Sequence, residues 1–169
     1  LEASMGKEAF QKGIEKYIKK YTNDNADWNN LVEILDAETP LDMQKWSEVW
    51  VNKSGRAIFN DQIKYDAQNR ISSFEISQQA EDKSANVWPQ IFDIGLVYKD
   101  QVKVINVNIK DKNLAVKEAV GLEKPLSIIY NYNGFGYGVF PLDGNNINSV
   151  LSLKDEVARA STYINIYEN

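Results

Sequence analysis

The spacing in this sequence that comes nearest to a chemical motif is that of three glycines at every second position, Gly134, Gly136 and Gly138. Glycine-rich turns cradle phosphates when they open a helix whose N-terminal N–H groups hold the anion. Here Val139 stands where the dinucleotide pattern needs its third glycine, and residues 140–144 indicate a turn rather than a helix. The stretch is therefore predicted to be a strand or hairpin with close backbone packing beneath aromatic rings, not a nucleotide site.

The 169 residues include no His and no Cys, which restricts the chemistry that the chain can perform. Without imidazole there is no Ser-His-Asp triad and no His-Glu-x-x-His zinc site. Without a thiol there is no cysteine nucleophile, disulfide or thiolate metal site. A carboxylate pair could hydrolyse glycosides, but nothing in the spacing of the 24 acidic residues marks such a pair. No catalytic, cofactor-binding or metal-binding residue is predicted in this chain.

The composition, 43% hydrophobic and 25% charged residues, is that of a soluble globular protein. A net charge of −5 and a pI near 4.9 argue against nucleic acid as a partner, because binding to phosphates needs clustered cations. The lysines that do cluster, Lys12, Lys16, Lys19 and Lys20, are predicted to form a solvated helix face. No apolar run has the length of a membrane span, so no membrane partner is expected, and no compartment is predicted.

The first third of the chain shows the 3.6-residue period of amphipathic helices, and three helices are predicted. Asn25 is predicted to cap the second helix and Asp42 the third. Three short helices cannot enclose their own apolar residues, so this segment is expected to pack against a further surface. The apolar faces are formed by Phe10, Ile14, Tyr17, Ile18 and Tyr21, then Trp28, Leu31, Val32 and Leu35, then Trp46, Val49 and Trp50.

After Gly55 the hydrophobic period changes from 3.6 to 2, which is typical of strands. The alternation shifts by one residue between Val104 and Val107, which predicts a bulge. The glycine-rich stretch is placed in the last hairpin. From Ile147 the period becomes helical again. The predicted fold class is α+β, with leading helices, an antiparallel β-sandwich of about seven strands, and a trailing helix. The predicted strands are 57–65, 71–77, 92–98, 102–109, 114–119, 126–132 and 136–142.

Several residues in order along the chain resemble the zinc aminopeptidases of the aminopeptidase N type. The family's pattern Gly-x-x-x-Phe-x-x-Gly-x-x-x-Tyr followed by Asn-Ala is matched early in the chain, and its sandwich-closing Asn-x-x-x-x-Gly-Tyr strand resembles YNYNGFGYGVFPLD. The turn into the sandwich departs from the family, because Arg56 and Ala57 stand where an aromatic residue and Pro are usual. The matched positions are Gly6, Phe10, Gly13, Tyr17, Asn25, Ala26, Trp50, Gly55 and Ala158-Arg159-Ala160.

The resemblance implies a chain made of three parts of such an enzyme. Residues 1–55 are expected to be the helical end of the catalytic domain, 56–144 the β-sandwich domain, and 145–169 the start of the C-terminal helical domain. In the family two His and a Glu hold zinc, a second Glu activates the metal-bound water, and a Tyr steadies the tetrahedral intermediate. That site cannot lie in a chain without His, Met5 and Met43 lack the amine-anchoring neighbours, and no catalytic role falls on Tyr17 or Tyr21.

The chain is therefore expected to be a non-catalytic structural segment, with no cofactor of its own and zinc in the parent enzyme. Its expected partners are the rest of the parent chain and, when isolated, a second copy of itself, while peptide is the expected substrate of the parent. The alternative is a free-standing sandwich that binds carbohydrate or peptide through exposed aromatics such as Trp88 and Tyr132.

Overall fold

Helices open the chain, strands follow and helices close it, so the predicted α+β class is confirmed. The computed structural model describes residues 1–169, which form two compact units, Leu1–Ser54 and Gly55–Asn169. None of the helices is both long and apolar enough to cross a membrane. The helices are α1 (Glu2–Met5), α2 (Lys7–Tyr21), α3 (Trp28–Asp36), α4 (Met43–Ser47), α5 (Asn146–Val150) and α6 (Glu156–Glu168). The strands are β1 (Ala57–Tyr65), β2 (Ile71–Ala80), β3 (Gln90–Val97), β4 (Val102–Ile109), β5 (Asn113–Ala115), β6 (Ser127–Ile129) and β7 (Gly138–Val139).

The first unit is built on a close crossing of α2 and α3. A Cβ placed on Gly13 would lie 2.6 Å from Leu35 Cδ2, so a larger residue here would force the buried Leu35 side chain to move. The stripe that predicted α2 is only partly buried: Phe10 and Tyr17 are half-buried and Ile18 is exposed. The buried core of this unit consists of Met5, Val32, Leu35 and Met43.

Two capping side chains start the next helices of this unit. Asp42 caps α4 as predicted, since its carboxylate accepts a hydrogen bond from Lys45 N at 2.8 Å. The predicted cap Asn25 was wrong: Asp27 caps α3, and its carboxylate and the Asn30 amide accept each other's backbone N–H groups. This reciprocal capping box satisfies two N–H groups at once, which explains why Asp27 begins the helix. Helix α4 continues into a π-helical turn, Glu48–Asn52.

The lysine cluster on α2 is not simply solvated. Lys12 Nζ lies 2.9 Å from Glu38 Oε2, and Lys16 pairs with the other oxygen of the same carboxylate. Hydrogen bonds from Lys16 and Lys12 lower the pKa of Glu38, so this carboxylate remains charged and links α2 to the end of α3.

The second unit contains two sheets that pack face to face. One sheet has the strand order β5-β2-β1-β7 and the other β4-β3-β6. The pairs are antiparallel except for β1 with β7, which run parallel. The rings of Phe59 on β1, Phe92 on β3 and Phe140 meet between the sheets, with centroids 4.6 to 5.4 Å apart. Each such pair stabilises the fold by about 0.5–1.5 kcal/mol beyond the area that it buries.

The predicted bulge in β4 was wrong, because β3 and β4 pair in one unbroken register from Gln90↔Ile109 to Val97↔Val102. The hydrophobic alternation shifts because each face of β4 packs against other residues at a different position along the strand. Ile105 and Val107 point into the core between the sheets. Val102 points to the other face, where it packs with Leu153 and Ala158 from the trailing part of the chain.

Three late strands are shorter than predicted. Strand β5 ends at Ala115 and is followed by a 3-10 turn, Lys117–Ala119. The predicted strands 126–132 and 136–142 shrink to the three residues of β6 and the two of β7. These two strands belong to different sheets, so the last hairpin was also wrong: the chain crosses from one sheet to the other.

One buried polar group, the Tyr130 hydroxyl, makes no hydrogen bond of normal geometry within the protein, although the Asp61 carboxylate lies near enough to interact with it. Tyr130 follows β6 and its side chain is almost wholly buried. Burial first, and then the negative charge of Asp61, raise the pKa of Tyr130 well above its ordinary value. The folded protein therefore keeps this hydroxyl neutral at alkaline pH, at which an exposed tyrosine ionises.

Replacing Tyr130 with Phe is expected to leave the free energy of unfolding at pH 7 undiminished, because a buried hydroxyl without a partner costs about 1–3 kcal/mol. Above pH 10.0, the ordinary tyrosine pKa, the unfolded chain releases this proton and the folded chain does not, so stability falls as pH rises. Tyr130→Phe should show a shallower fall between pH 10 and 11 in denaturant titrations. A variant that is weaker at pH 7, or that falls as steeply, would contradict this account.

Candidate functional site

The glycine-rich segment, defined here as residues 133–138, carries the chain from the three-stranded sheet to the four-stranded one. It projects the side chains of Phe135 and Tyr137 into solvent, and both are large and exposed. The backbone of this segment has no neighbouring strand before Gly138, which pairs with Ala57. Its polar groups must therefore find partners among side chains.

Asn131 supplies the first pair of partners. The side-chain oxygen of Asn131 accepts a hydrogen bond from Gly136 N at 2.7 Å, and its Nδ2 donates to Gly136 O at 3.0 Å. The backbone of Asn131 has a φ of 54°, a left-handed conformation that asparagine adopts more readily than most residues. This conformation folds the chain back so that one side-chain amide satisfies both backbone groups of Gly136.

Gln90, from the start of β3, does the same for the next residue. Its Oε1 accepts a hydrogen bond from Tyr137 N at 2.8 Å, and its Nε2 donates to Tyr137 O at 3.1 Å. The Gln90 side chain is buried, and the two bonds are partly buried. The two amides hold two successive residues as a neighbouring strand would, and they fix the backbone that carries Phe135 and Tyr137.

The predicted close packing of the glycines is confirmed at two positions. A Cβ on Gly136 would lie 2.6 Å from Phe140 Cζ, and one on Gly138 would lie 2.5 Å from Ala57 O. The segment thus passes directly over the aromatic core, and a side chain at either position would displace it.

Helix α6 lies against this segment with its polar face inward. Ser161 Oγ donates a hydrogen bond to Asn131 O at 2.7 Å, and Asn165 Nδ2 donates to Tyr130 O at 3.1 Å. Asn169 Nδ2 reaches Phe140 O, also at 3.1 Å. Because all three acceptors are carbonyls close to the glycine-rich segment, the helix is positioned by hydrogen bonds rather than by apolar contact alone.

Part of the boundary between α6 and the glycine-rich segment opens into a cleft of about 300 Å³, which residues of both line. Arg56 and Glu168 form an ion pair that lines it, and Arg56 also contacts Glu81 at 3.2 Å. The hydrogen bond to Glu168, followed by that to Glu81, raises the pKa of Arg56. Besides this ion pair, the cleft is lined by backbone, amide and apolar surface.

The aromatics predicted for the alternative binding module do not form a surface. Trp88 is 2% exposed, with its backbone N–H bonded to Gln78 Oε1, so its predicted exposure was wrong. Tyr132 is half-buried and covers Gly95, where a Cβ would lie 2.4 Å from Tyr132 Cδ2. The chain has no group of three His, Cys, Asp or Glu residues that could hold a metal ion.

Sequence reasoning predicted the close packing of the glycines but missed the residues that hold them. Gln90 and Asn131 looked like ordinary polar residues at strand ends, and Ser161 and Asn165 were passed over in favour of the apolar stripe on the same helix. The spacing did hold a signal, since Ser161 and Asn165 lie three and seven residues after the buried Ala158 and so share its face of the helix.

The chain is thus an α+β protein with a helical unit and a two-sheet unit, and comparison with known proteins gives it relatives. Aminopeptidase N from Streptomyces lividans is 27% identical over 162 residues, which cover 87% of this chain and 19% of that protein. The tricorn protease-interacting factor F2 of Thermoplasma volcanium is 26% identical over 157 residues, 92% of this chain and 18% of its own length. The chain spans about a fifth of these curated relatives. No family model matches it.

Gly136→Ala is expected to destabilise the second unit by about 1–3 kcal/mol, because the added methyl overpacks against Phe140 and Phe92. Gly144→Ala is the matched control, since a Cβ there meets nothing within 4 Å, and it should change stability by less than about 0.5 kcal/mol. Urea titrations of the two variants measure the difference. Equal stabilities would show that the segment does not pack as described.

Proposed function

We propose that this chain is a non-catalytic, structural segment of a larger zinc-dependent aminopeptidase that removes N-terminal residues from peptides. Residues 1–55 would form the helical end of the catalytic domain, 56–144 the β-sandwich domain and 145–169 the start of a C-terminal helical domain. In this role the segment joins the catalytic domain to the helical domain, and its partners are the rest of the same polypeptide.

The observation that carries the proposal is the reach of the similarity. Alignment with aminopeptidase N covers 87% of this chain but only 19% of the relative. Under the proposal, this fifth of the enzyme supplies structure, and the reacting groups lie in the remaining part of the polypeptide. The order of the matched residues, from Gly6 and Phe10 to Ala158-Arg159-Ala160, supports the same assignment.

Zinc does not fit the residues of this chain. Structural and catalytic zinc sites in proteins draw on imidazole and thiolate ligands, and the sequence contains neither. Its carboxylates form no group that could surround a metal ion. Zinc and the groups that activate water would therefore belong to the remainder of the proposed parent, and this chain contributes no step of hydrolysis.

The geometry supports positioning as the contribution of the second unit. Gln90 and Asn131 fix the glycine-rich segment, and Ser161 and Asn165 fix α6 on it. A segment held by several hydrogen bonds can set the position of the residues that come after it along the chain. The buried position of Trp88 gives no support to the alternative, a free-standing module that binds carbohydrate or peptide, and no second function is proposed.

The proposal predicts activity in the longer polypeptide and none in the isolated chain. The open reading frame should encode a His-Glu-x-x-His sequence upstream of residue 1, and its product should hydrolyse a leucine reporter substrate and retain zinc after dialysis. The 169-residue chain should do neither under the same conditions. A reading frame without that sequence, or zinc-dependent hydrolysis by the isolated chain, would overturn the proposal.

A further inference from the structure

The glycine-rich segment begins with the only Asn-Gly pair of the sequence, Asn133 and Gly134. An asparagine loses its side-chain amide most readily when glycine follows it, because glycine has no side chain to keep its backbone nitrogen away from the asparagine Cγ. The reaction needs only water and no enzyme. Asn131 lies two residues earlier but precedes the bulky Tyr132, which obstructs the same chemistry.

The reaction at this pair has two steps. The Gly134 nitrogen attacks Cγ of Asn133, so that a new N–Cγ bond closes a succinimide ring and the Cγ–Nδ2 bond breaks. The Nδ2 amine leaves as ammonia, with the proton that the Gly134 nitrogen loses. Water then opens the ring. Attack of water at Cγ gives aspartate, and attack at the backbone carbonyl carbon gives isoaspartate, in which the chain runs through the former side chain.

The fold engages both reacting groups in hydrogen bonds. The Gly134 N–H donates to Asn131 O at 2.9 Å. The Asn133 Oδ1 accepts from Asp93 N and from Phe135 N, each at 3.2 Å. Closing the ring removes the hydrogen that Gly134 donates, and it moves Asn133 Cγ to the Gly134 nitrogen against the two bonds that hold its oxygen. All three bonds therefore oppose the first step.

We propose that Asn133 is a site of spontaneous deamidation that the folded chain restrains, so that the reaction proceeds from the open form of the glycine-rich segment. Gly134 is exposed and Asn133 is half-buried, so water reaches the pair as soon as the bonds open. The observed rate is then the rate of a free peptide multiplied by the fraction of molecules in which the segment is open.

Either product weakens the attachment of the segment. Isoaspartate adds a methylene to the backbone and takes the amide oxygen away from the N–H groups of Asp93 and Phe135. Aspartate places a new negative charge next to the backbone of Asp93, which is itself acidic. Refolding does not restore the lost amide. Opening of the segment thus leads to deamidation, and deamidation favours further opening.

The test compares the 169-residue chain with a synthetic peptide of residues 130–137, both incubated in the same mildly alkaline buffer. Mass spectrometry measures the conversion of amide to carboxyl at each asparagine. The peptide should deamidate at Asn133, and the folded chain should do so at least about tenfold more slowly. Asn131 is the matched control within the same stretch and should keep its amide in both samples.

A variant that loosens the segment provides a second measurement. Gln90→Leu removes the bonds that hold Tyr137 and should raise the deamidation rate of the folded chain by at least about threefold. Gly144→Ala adds a Cβ that meets nothing within 4 Å, so this control should keep the rate of the unaltered chain. Circular dichroism verifies that both variants are folded before their rates are compared.

Three results would overturn the proposal. The first is an equal rate at Asn133 in the peptide and in the folded chain, which would remove the restraint. The second is a peptide in which the Asn133 amide lasts as long as that of Asn131, which would remove the site. The third is an unchanged rate in folded Gln90→Leu, which would separate the reaction from opening of the segment. The comparison of peptide and unaltered chain requires no variant to fold.

Discussion

The second unit depends on one requirement, that the backbone of Gly136 and Tyr137 must find hydrogen bonds where no strand runs beside it. Asn131 and Gln90 meet the requirement with one side-chain amide each. Backbone groups without partners are costly when they are shielded from water, so these amides stabilise the crossing between the sheets. The position of β7 beside β1 and the outward direction of Phe135 both result from this arrangement.

The same requirement explains the reversed face of α6. The carbonyl groups of Tyr130, Asn131 and Phe140 are left pointing away from the sheets around the crossing. Asn165, Ser161 and Asn169 donate hydrogen bonds to them, which requires polar residues on the inner face of the helix. The larger apolar residues of α6, including Val157, Ile164 and Tyr167, are then left to the outside. One irregular crossing thus determines both how the helix is attached and which surface it offers.

Much of the fold could be predicted from hydrophobic period alone. Strand β1 and the cap at Asp42 were predicted correctly because their signals are local. Asn25 was preferred to Asp27 because the reciprocal bond with Asn30 appears only when both backbones are placed. The phase of β4 was misread because Val102 and Ile105 face different neighbours, which are distant in sequence. Gln90 could not be foreseen, since its partner Tyr137 lies 47 residues further on.

Amide hydrogen exchange at Tyr137 tests most directly whether side-chain amides hold the glycine-rich segment. In the unaltered chain the Tyr137 N–H should exchange slowly, and Gln90→Leu should speed its exchange by at least about tenfold. The Gly136 N–H, which Asn131 holds, should remain protected in that variant. Tyr137 exchange at the rate of an open loop in the unaltered chain, or no change in Gln90→Leu, would contradict the account.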